Sequence, residues 1–168
     1  LRCIFGPIKM VNCITTKRLN KLEAEDTAAA IIKLSNGSLC TIEATTAARP
    51  IDLHASMSVV GEKGTAVISG IAMNKVKTWK FKNQNHFQEN KIKKTYSKNV
   101  PTGYGVSHIT YLNNTFKNIL KKKFKPPVDA YEAYLTSLFV HSLYKSSETS
   151  KWVKVNSNSF SKMLGKKN

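Results

Sequence analysis

A histidine and a tyrosine lie three residues apart where the sequence predicts that a helix begins. His108 and Tyr111 would share one side of that helix near its N-terminus, where they could hydrogen-bond a substrate hydroxyl or carboxylate. Local capping or packing explains the same pair, and from the spacing alone it is the simpler interpretation. The preceding Gly103-Tyr104-Gly105 could present backbone N–H groups to an anion, although a plain loop before a helix fits equally.

Other patterns of catalytic or metal-binding residues are weak. His54, His86 and His141 do not have the spacing of a metal site. Glu25 and Asp26 are adjacent, and in a strand they would point to opposite faces, which argues against an acid–base couple. The sequence has no GxGxxG or P-loop pattern and suggests no Ser-His-Asp or Cys-His set. We therefore predict no catalytic, cofactor-binding or metal-binding residue in this chain.

Length and composition indicate a globular domain. The chain has 168 residues, of which 41% are hydrophobic, and no apolar run is long enough to cross a membrane. Its three cysteines form no CxxC pair, which fits a reducing compartment and predicts a cytoplasmic protein. The first residues lack the layout of a signal peptide, and their abrupt start suggests a piece of a longer protein.

The net charge of +17 comes almost entirely from lysine. Such a charge attracts anions: nucleic acid, acidic lipid or a phosphorylated substrate. An AT-rich coding bias would also enrich lysine and asparagine together, without any partner. The basic runs at 91–94 and 121–125 contain no arginine, and the aromatic residues mostly fit core positions, which argues against nucleic-acid binding.

Alternation of apolar and polar residues predicts strands in the first two thirds of the chain. The predicted strands are 8–15, 27–34, 38–46, 55–60, 65–69 and 75–81. Asn36-Gly37 and Gly61-Glu62-Lys63-Gly64 supply hairpin turns. The stretch 82–102 is polar and without a clear period, so it is predicted to be a loop with at most a short edge strand.

Two helices are predicted after this loop. Ser107 could cap the first, whose apolar positions recur at helical spacing: Ile109, Leu112, Phe116, Ile119 and Leu120. Asp129 and Glu132 form a capping-box pattern for the second, which ends before Lys151. A short edge strand at 152–155 and a frayed tail at 157–168 would follow.

Strands followed by helices predict an α+β fold. The expected architecture is an open, mostly antiparallel β-sheet with helices packed on one face. No internal boundary is visible, so residues 1–156 are predicted to form one domain.

Several motifs, taken in order along the chain, resemble the Gfo/Idh/MocA family of oxidoreductases. Each is weak alone, but the ordered set spans nearly the whole chain. The motifs are Glu25-Asp26-Thr27-Ala28, the stretches 34–39 and 42–50, the turn at 61–64, the stretch 71–79, Tyr104-Gly105-Val106-Ser107-His108 with Tyr111, and the stretches 128–133 and 143–148.

The resemblance implies a two-domain enzyme. An N-terminal Rossmann domain would bind NAD or NADP, and a C-terminal α/β domain would close the substrate site and form a homo-oligomer through its sheet face. This chain resembles the second domain only, and it is similar to UDP-N-acetylglucosaminuronate 3-dehydrogenases, which act on a nucleotide sugar. The Glu-Lys-Pro and Asp-x-x-x-His motifs of the family are absent. Both catalytic elements are therefore expected before Leu1, and the chain alone is expected to have no turnover.

The resemblance leaves five residues as candidates for contact with a sugar or nucleotide-sugar substrate: Arg49, Asn74, Tyr104, His108 and Tyr111. Arg49 could pair bidentately with a carboxylate or phosphate, or be an ordinary solvated arginine. Two other functions stay open. One is a stand-alone binding or scaffold module without catalysis, and the other is a basic nucleic-acid-binding domain.

Overall fold

The computed structural model describes residues 1–123 and 126–166. They form seven strands and four helices, and their bounds in chain order are α1 (Arg2–Phe5), β1 (Ile8–Thr16), β2 (Thr27–Leu34), β3 (Leu39–Thr45), β4 (Met57–Gly61), β5 (Gly64–Ser69), β6 (Lys75–Phe81), α2 (His86–Tyr96), α3 (Ser107–Leu120), α4 (Ala130–Thr149) and β7 (Val153–Lys154).

The chain divides into two compact units, although the sequence predicts one domain over 1–156. The first unit contains residues 1–50 and those from 128 onward, and the second contains Ile51–Pro127. The strands accordingly form two sheets rather than one. The first sheet has the order β3-β2-β1-β7, and the second has the order β4-β5-β6.

The first unit is an antiparallel sheet with helix α4 packed against β1. Alternation along β2 places Ile32 and Leu34 in the interior, while Ile31 and Lys33 are exposed. Val11 and Ile32 form the centre of the core, and Phe139 of α4 packs against them. The predicted α+β fold, with an antiparallel sheet and a helix on one face, is confirmed.

The opposite face of this sheet is open. Ile14 of β1 and Leu39 of β3 are each 72% exposed, and Ile31 of β2 is 49% exposed. Strand register places the three side chains on the same face, because Ile31 pairs with Asn12 and Thr41, and these are two residues from Ile14 and Leu39.

The second unit begins with the hairpin of β4 and β5, which turns at 61–64 as the sequence predicts. Helix α2 packs against β6 and occupies much of the stretch predicted as a loop. That prediction is wrong. Asn85 and Gln88 form a reciprocal capping box at the start of α2, so a local helix signal was present.

Of the two predicted helix caps, one is formed and the other is not. Asp129 caps α4 as predicted, and its side chain accepts the N–H of Glu132. The predicted capping box is not completed, because the Glu132 carboxylate accepts from Arg2 Nη2 at 2.6 Å. The prediction that Ser107 caps α3 is wrong, because Ser107 is the first residue of the helix and Val106 occupies the cap position without a side-chain hydrogen bond.

The segment 157–166 packs within the first unit, although the sequence predicts a frayed tail at 157–168. Residues 167–168 of that prediction lie outside the described residues. Ser159 and Ser161 are buried. The Phe160 ring lies 4.7 Å from the His141 ring of α4, measured between ring centroids. Lys166 Nζ lies 2.9 Å from a carboxylate oxygen of Glu23.

Helices long and apolar enough to cross a bilayer do not occur in the part of the chain that the structure describes.

Candidate functional site

A cleft of about 520 Å³ lies within the second unit. It is bounded by the turn before β6, by the segment that joins α2 to α3, and by the first half of α3. Tyr96 and Tyr104 contribute aromatic rings to its lining, and Lys98 contributes a cation. Among the described residues that line the cleft, none is acidic.

Helix α3 supplies a polar side to the cleft. Ser107, Thr110, Tyr111 and Asn114 all line it. Their spacing of three and four residues places them on one side of the helix. The side therefore presents three hydroxyl groups and an amide to whatever enters the cleft. The start of α3 lies at the same place. The residue at its cap position, Val106, forms no side-chain hydrogen bond with the first N–H groups of the helix.

Asn74 fixes the geometry of the cleft from the turn before β6. Its Oδ1 accepts the N–H of Ala72 at 3.2 Å, and its Nδ2 donates to the carbonyl of Lys98 at 2.5 Å. The N–H of Lys98 returns a hydrogen bond to the Asn74 carbonyl at 2.9 Å. Both ends of the Asn74 amide are thus used within the protein, and the residue acts as a clamp that holds Lys98 beside the cleft.

The structure brings together three of the five predicted substrate-binding residues. Asn74, Tyr104 and Tyr111 line the cleft. His108 is exposed on α3 and is not among the lining residues. Arg49 belongs to the first unit, where its guanidinium donates to Asn20 Oδ1 at 2.8 Å and to the Ala48 carbonyl at 2.7 Å.

Sequence reasoning missed the other polar lining residues. Ser107, Thr110 and Asn114 had a usable signal, because they continue the helical spacing of Tyr111. Lys98 had no sequence signal, because it lies in the stretch predicted as a loop. It is held beside the cleft by its hydrogen bond with Asn74.

The adjacent carboxylates Glu25 and Asp26 stabilise the first unit. The side-chain oxygen Oδ2 of Asp26 accepts the N–H groups of Arg18, Leu19 and Asn20 at 3.0, 2.8 and 3.0 Å. These three backbone donors hold the pKa of the Asp26 carboxyl well below its usual range. They fix the loop between β1 and β2.

Glu25 interacts with helix α4. Its Oε1 accepts a hydrogen bond from the Tyr144 hydroxyl at 2.7 Å, and this bond raises the pKa of Tyr144 to about 12. Its Oε2 is buried beneath Gly165 of the packed tail and has no hydrogen-bond partner among the described residues. Glu25 therefore connects the start of β2 to α4 and to the tail.

Clusters of three or more histidine, cysteine or acidic side chains that could hold a metal ion are absent from residues 1–123 and 126–166.

The fold is an α+β domain with antiparallel sheets and a polar cleft in its second unit. A family model described as "Oxidoreductase family, C-terminal alpha/beta domain" matches residues 1–155. The chain therefore belongs to the Gfo/Idh/MocA oxidoreductase family, in which it corresponds to the C-terminal domain.

Solved structures of similar fold include two WlbA dehydrogenases in complex with NADH and UDP-GlcNAcA. The enzyme from Chromobacterium violaceum is 24% identical with a TM-score of 0.80, and the match covers 94% of this chain and 43% of that one. The enzyme from Bordetella pertussis is 25% identical with a TM-score of 0.80, and the match covers 93% of this chain and 44% of that one.

Levoglucosan dehydrogenase, solved with NADH and L-sorbose, is 15% identical with a TM-score of 0.74, and the match covers 92% of this chain and 46% of that one. The chain thus spans less than half the length of each of these structures. Comparison with curated proteins found no match.

Proposed function

We propose that this chain is the substrate-binding and oligomerisation domain of an NAD(P)-dependent dehydrogenase that oxidises a hydroxyl of a sugar or nucleotide sugar. The match of the oxidoreductase C-terminal domain over residues 1–155 is the observation that carries the proposal. The dehydrogenase would be a longer polypeptide, since the similar WlbA enzymes are more than twice as long as the part that this chain matches.

The cleft of the second unit is the proposed substrate site. Hydroxyl and amide groups of Ser107, Tyr111 and Asn114 suit the hydroxyls of a sugar, and the ring of Tyr104 suits stacking on a sugar or base. The Lys98 ammonium and the start of α3 favour an anionic group. These features fit a nucleotide sugar or a sugar acid, and the WlbA complexes with UDP-GlcNAcA support that class.

The nicotinamide cofactor belongs to another part of the enzyme in this proposal. Dinucleotides bind at the carboxyl ends of parallel strands, beside a glycine-rich turn. Each strand pair in the described residues is antiparallel, so these residues do not fit that site. NAD or NADP accepts hydride when bound. The residues that bind it and the base that takes the hydroxyl proton would both lie outside this chain.

The open face of the first sheet is the proposed oligomer interface. Ile14, Ile31 and Leu39 are large apolar side chains on one exposed face, and burying them against a second copy would remove them from water.

The free cysteines Cys3, Cys13 and Cys40 fit the reducing conditions of the cytoplasm, where we place the enzyme.

Calorimetric titration of UDP-GlcNAcA into the chain tests the substrate site. We expect Tyr104→Ala to weaken binding by roughly tenfold through lost stacking. We expect Tyr111→Phe to weaken it by about fivefold through one lost hydrogen bond. Asn113→Ala is the matched control on the same helix, at an exposed position outside the cleft lining, and should bind like the parent chain. The site is refuted if the parent chain shows no binding, or if all three variants bind as it does.

A further inference from the structure

Helix α3 has a polar face and an apolar face on opposite sides of its axis, and both are exposed. Its polar face, from Ser107 to Asn114, lines the cleft. Its apolar residues lie about half a turn away around the helix axis, at 100° per residue. We call them the α3 stripe: Ile109, Leu112, Phe116, Ile119 and Leu120. Their exposed fractions range from 49% to 83%, and no residue of α3 is buried.

An exposed stripe of this size is unfavourable in water. Burying one large aliphatic or aromatic side chain stabilises a protein by about 1.5–3 kcal/mol. An isolated helix of about 12–15 residues is marginally stable in water, and helices usually obtain their stability from packing of the apolar face. Helix α3 has 14 residues, and its apolar face is exposed. A partner is therefore expected on the α3 stripe.

The charge next to the α3 stripe indicates what kind of partner fits. Lys117, Lys121, Lys122 and Lys123 lie at the C-terminal end of the helix, beside Leu120. Between Glu89 and Asp129 the sequence has nine lysines and no acidic residue. Two copies of this helix packed together would bring lysines close to lysines, which disfavours a second copy as the partner. An apolar surface with carboxylates at its rim would match both the apolar side chains of the α3 stripe and the positive charge beside it.

We propose that the α3 stripe is the docking surface for the part of the longer polypeptide that lies outside these 168 residues, and that this part presents an apolar patch rimmed by carboxylates. The inference rests on the proposed function, because it requires that longer polypeptide. The matches cover 43% and 44% of the WlbA chains, so more than half of each WlbA protein lies outside the similar region. Docking there would leave the polar face of α3 free for the substrate.

Thiol labelling tests the docking surface. Leu112→Cys is introduced together with Cys3→Ser and Cys40→Ser, both in the 168-residue chain and in the polypeptide of the complete reading frame. Lys91→Cys, at an exposed position of α2, is the matched control. We expect a maleimide to modify Leu112→Cys at least about tenfold more slowly in the longer polypeptide. The Lys91→Cys rate should be the same in both. Should Leu112→Cys fail to fold, Ile119→Cys probes the same stripe.

Three results would overturn the inference. One is equal labelling of the stripe in both polypeptides. The second is protection in the 168-residue chain that grows with its concentration, which would identify a second copy as the partner. The third is protection only after addition of phosphatidylglycerol vesicles, which would identify a membrane surface. Turnover is measured on the same samples with UDP-GlcNAcA and with other sugars and nucleotide sugars, using NAD and NADP. Turnover with an unprotected stripe refutes the docking surface alone, and a protected stripe without turnover on any of them refutes the proposed function alone.

Discussion

The Ser146 hydroxyl of α4 accepts the backbone N–H of Cys13 in β1 at 2.9 Å. The same hydroxyl donates to the carbonyl of Lys151 at 2.6 Å. Strand β7 pairs with β1 only at Met10 and Val11, so the N–H of Cys13 lies beyond the reach of that strand. A fully buried serine thus replaces a missing strand partner and joins the helix to the sheet.

Replacing Ser146 with alanine should destabilise the first unit by about 1–3 kcal/mol, because the buried N–H of Cys13 would lose its acceptor. Urea denaturation measures the change. Ser147→Ala is the matched control: its hydroxyl accepts the N–H of Thr15 at 3.1 Å in a more exposed setting, so a smaller loss is expected. Equal losses for the two variants would contradict the role given to burial.

Tyr144 should titrate abnormally, because Glu25 raises its pKa to about 12. The folded chain holds this proton more tightly than the unfolded chain does. The stability from this group is therefore complete below pH 10 and is lost as the pH rises toward 12. Ultraviolet titration of tyrosinate should show a late component that is absent from Tyr144→Phe. If the component lost in that variant titrates near pH 10, the contact with Glu25 is not formed.

Asp26 should stabilise the fold at neutral pH and lose this effect in acid, whereas Tyr144 loses its effect in alkali. Its pKa is lowered in the folded state, so its contribution is present above the usual aspartate range and is lost as the pH falls below it. We expect Asp26→Asn to lower the urea midpoint at pH 7. The difference from the parent chain should shrink only below about pH 4. The exposed Glu43 provides the control variant Glu43→Gln, and a gap that persists unchanged in strong acid would contradict the assignment.

Asn74 should behave as a clamp rather than as a ligand. Asn74→Ala removes both side-chain hydrogen bonds of the turn and should destabilise the second unit by about 1–3 kcal/mol. A fall in the thermal midpoint measures this effect, and the exposed Asn113→Ala provides the reference. Weaker sugar-nucleotide binding with an unchanged thermal midpoint would instead show direct contact with the substrate.

The strands were predictable because alternation and turn residues are local. Strands β2 and β6 have the predicted bounds, since Asn36-Gly37 and the apolar periods define them without tertiary contacts. Helix α2 was missed because its lysine-rich sequence has no apolar period, and only the Asn85 and Gln88 capping box marked it.

The site was less predictable than the fold. Tyr104 and Tyr111 were found because they flank a helix start, and Ser107 and Asn114 could have been found from the same spacing. The position of Lys98 depends on a hydrogen bond to Asn74, 24 residues away, which no local pattern records. Likewise, nothing in the residues around Arg49 indicated that Asn20 would bind its guanidinium.

The most direct test of the proposed function is NADH formation from NAD and UDP-GlcNAcA. It compares the polypeptide of the complete reading frame with the 168-residue chain. We expect turnover by the complete polypeptide and none by the shorter chain, because the proposal places the cofactor site and the base outside it. Turnover by the 168-residue chain alone would contradict the account. So would a complete polypeptide that is folded and binds NAD or NADP but oxidises neither this substrate nor any other sugar or nucleotide sugar with either cofactor.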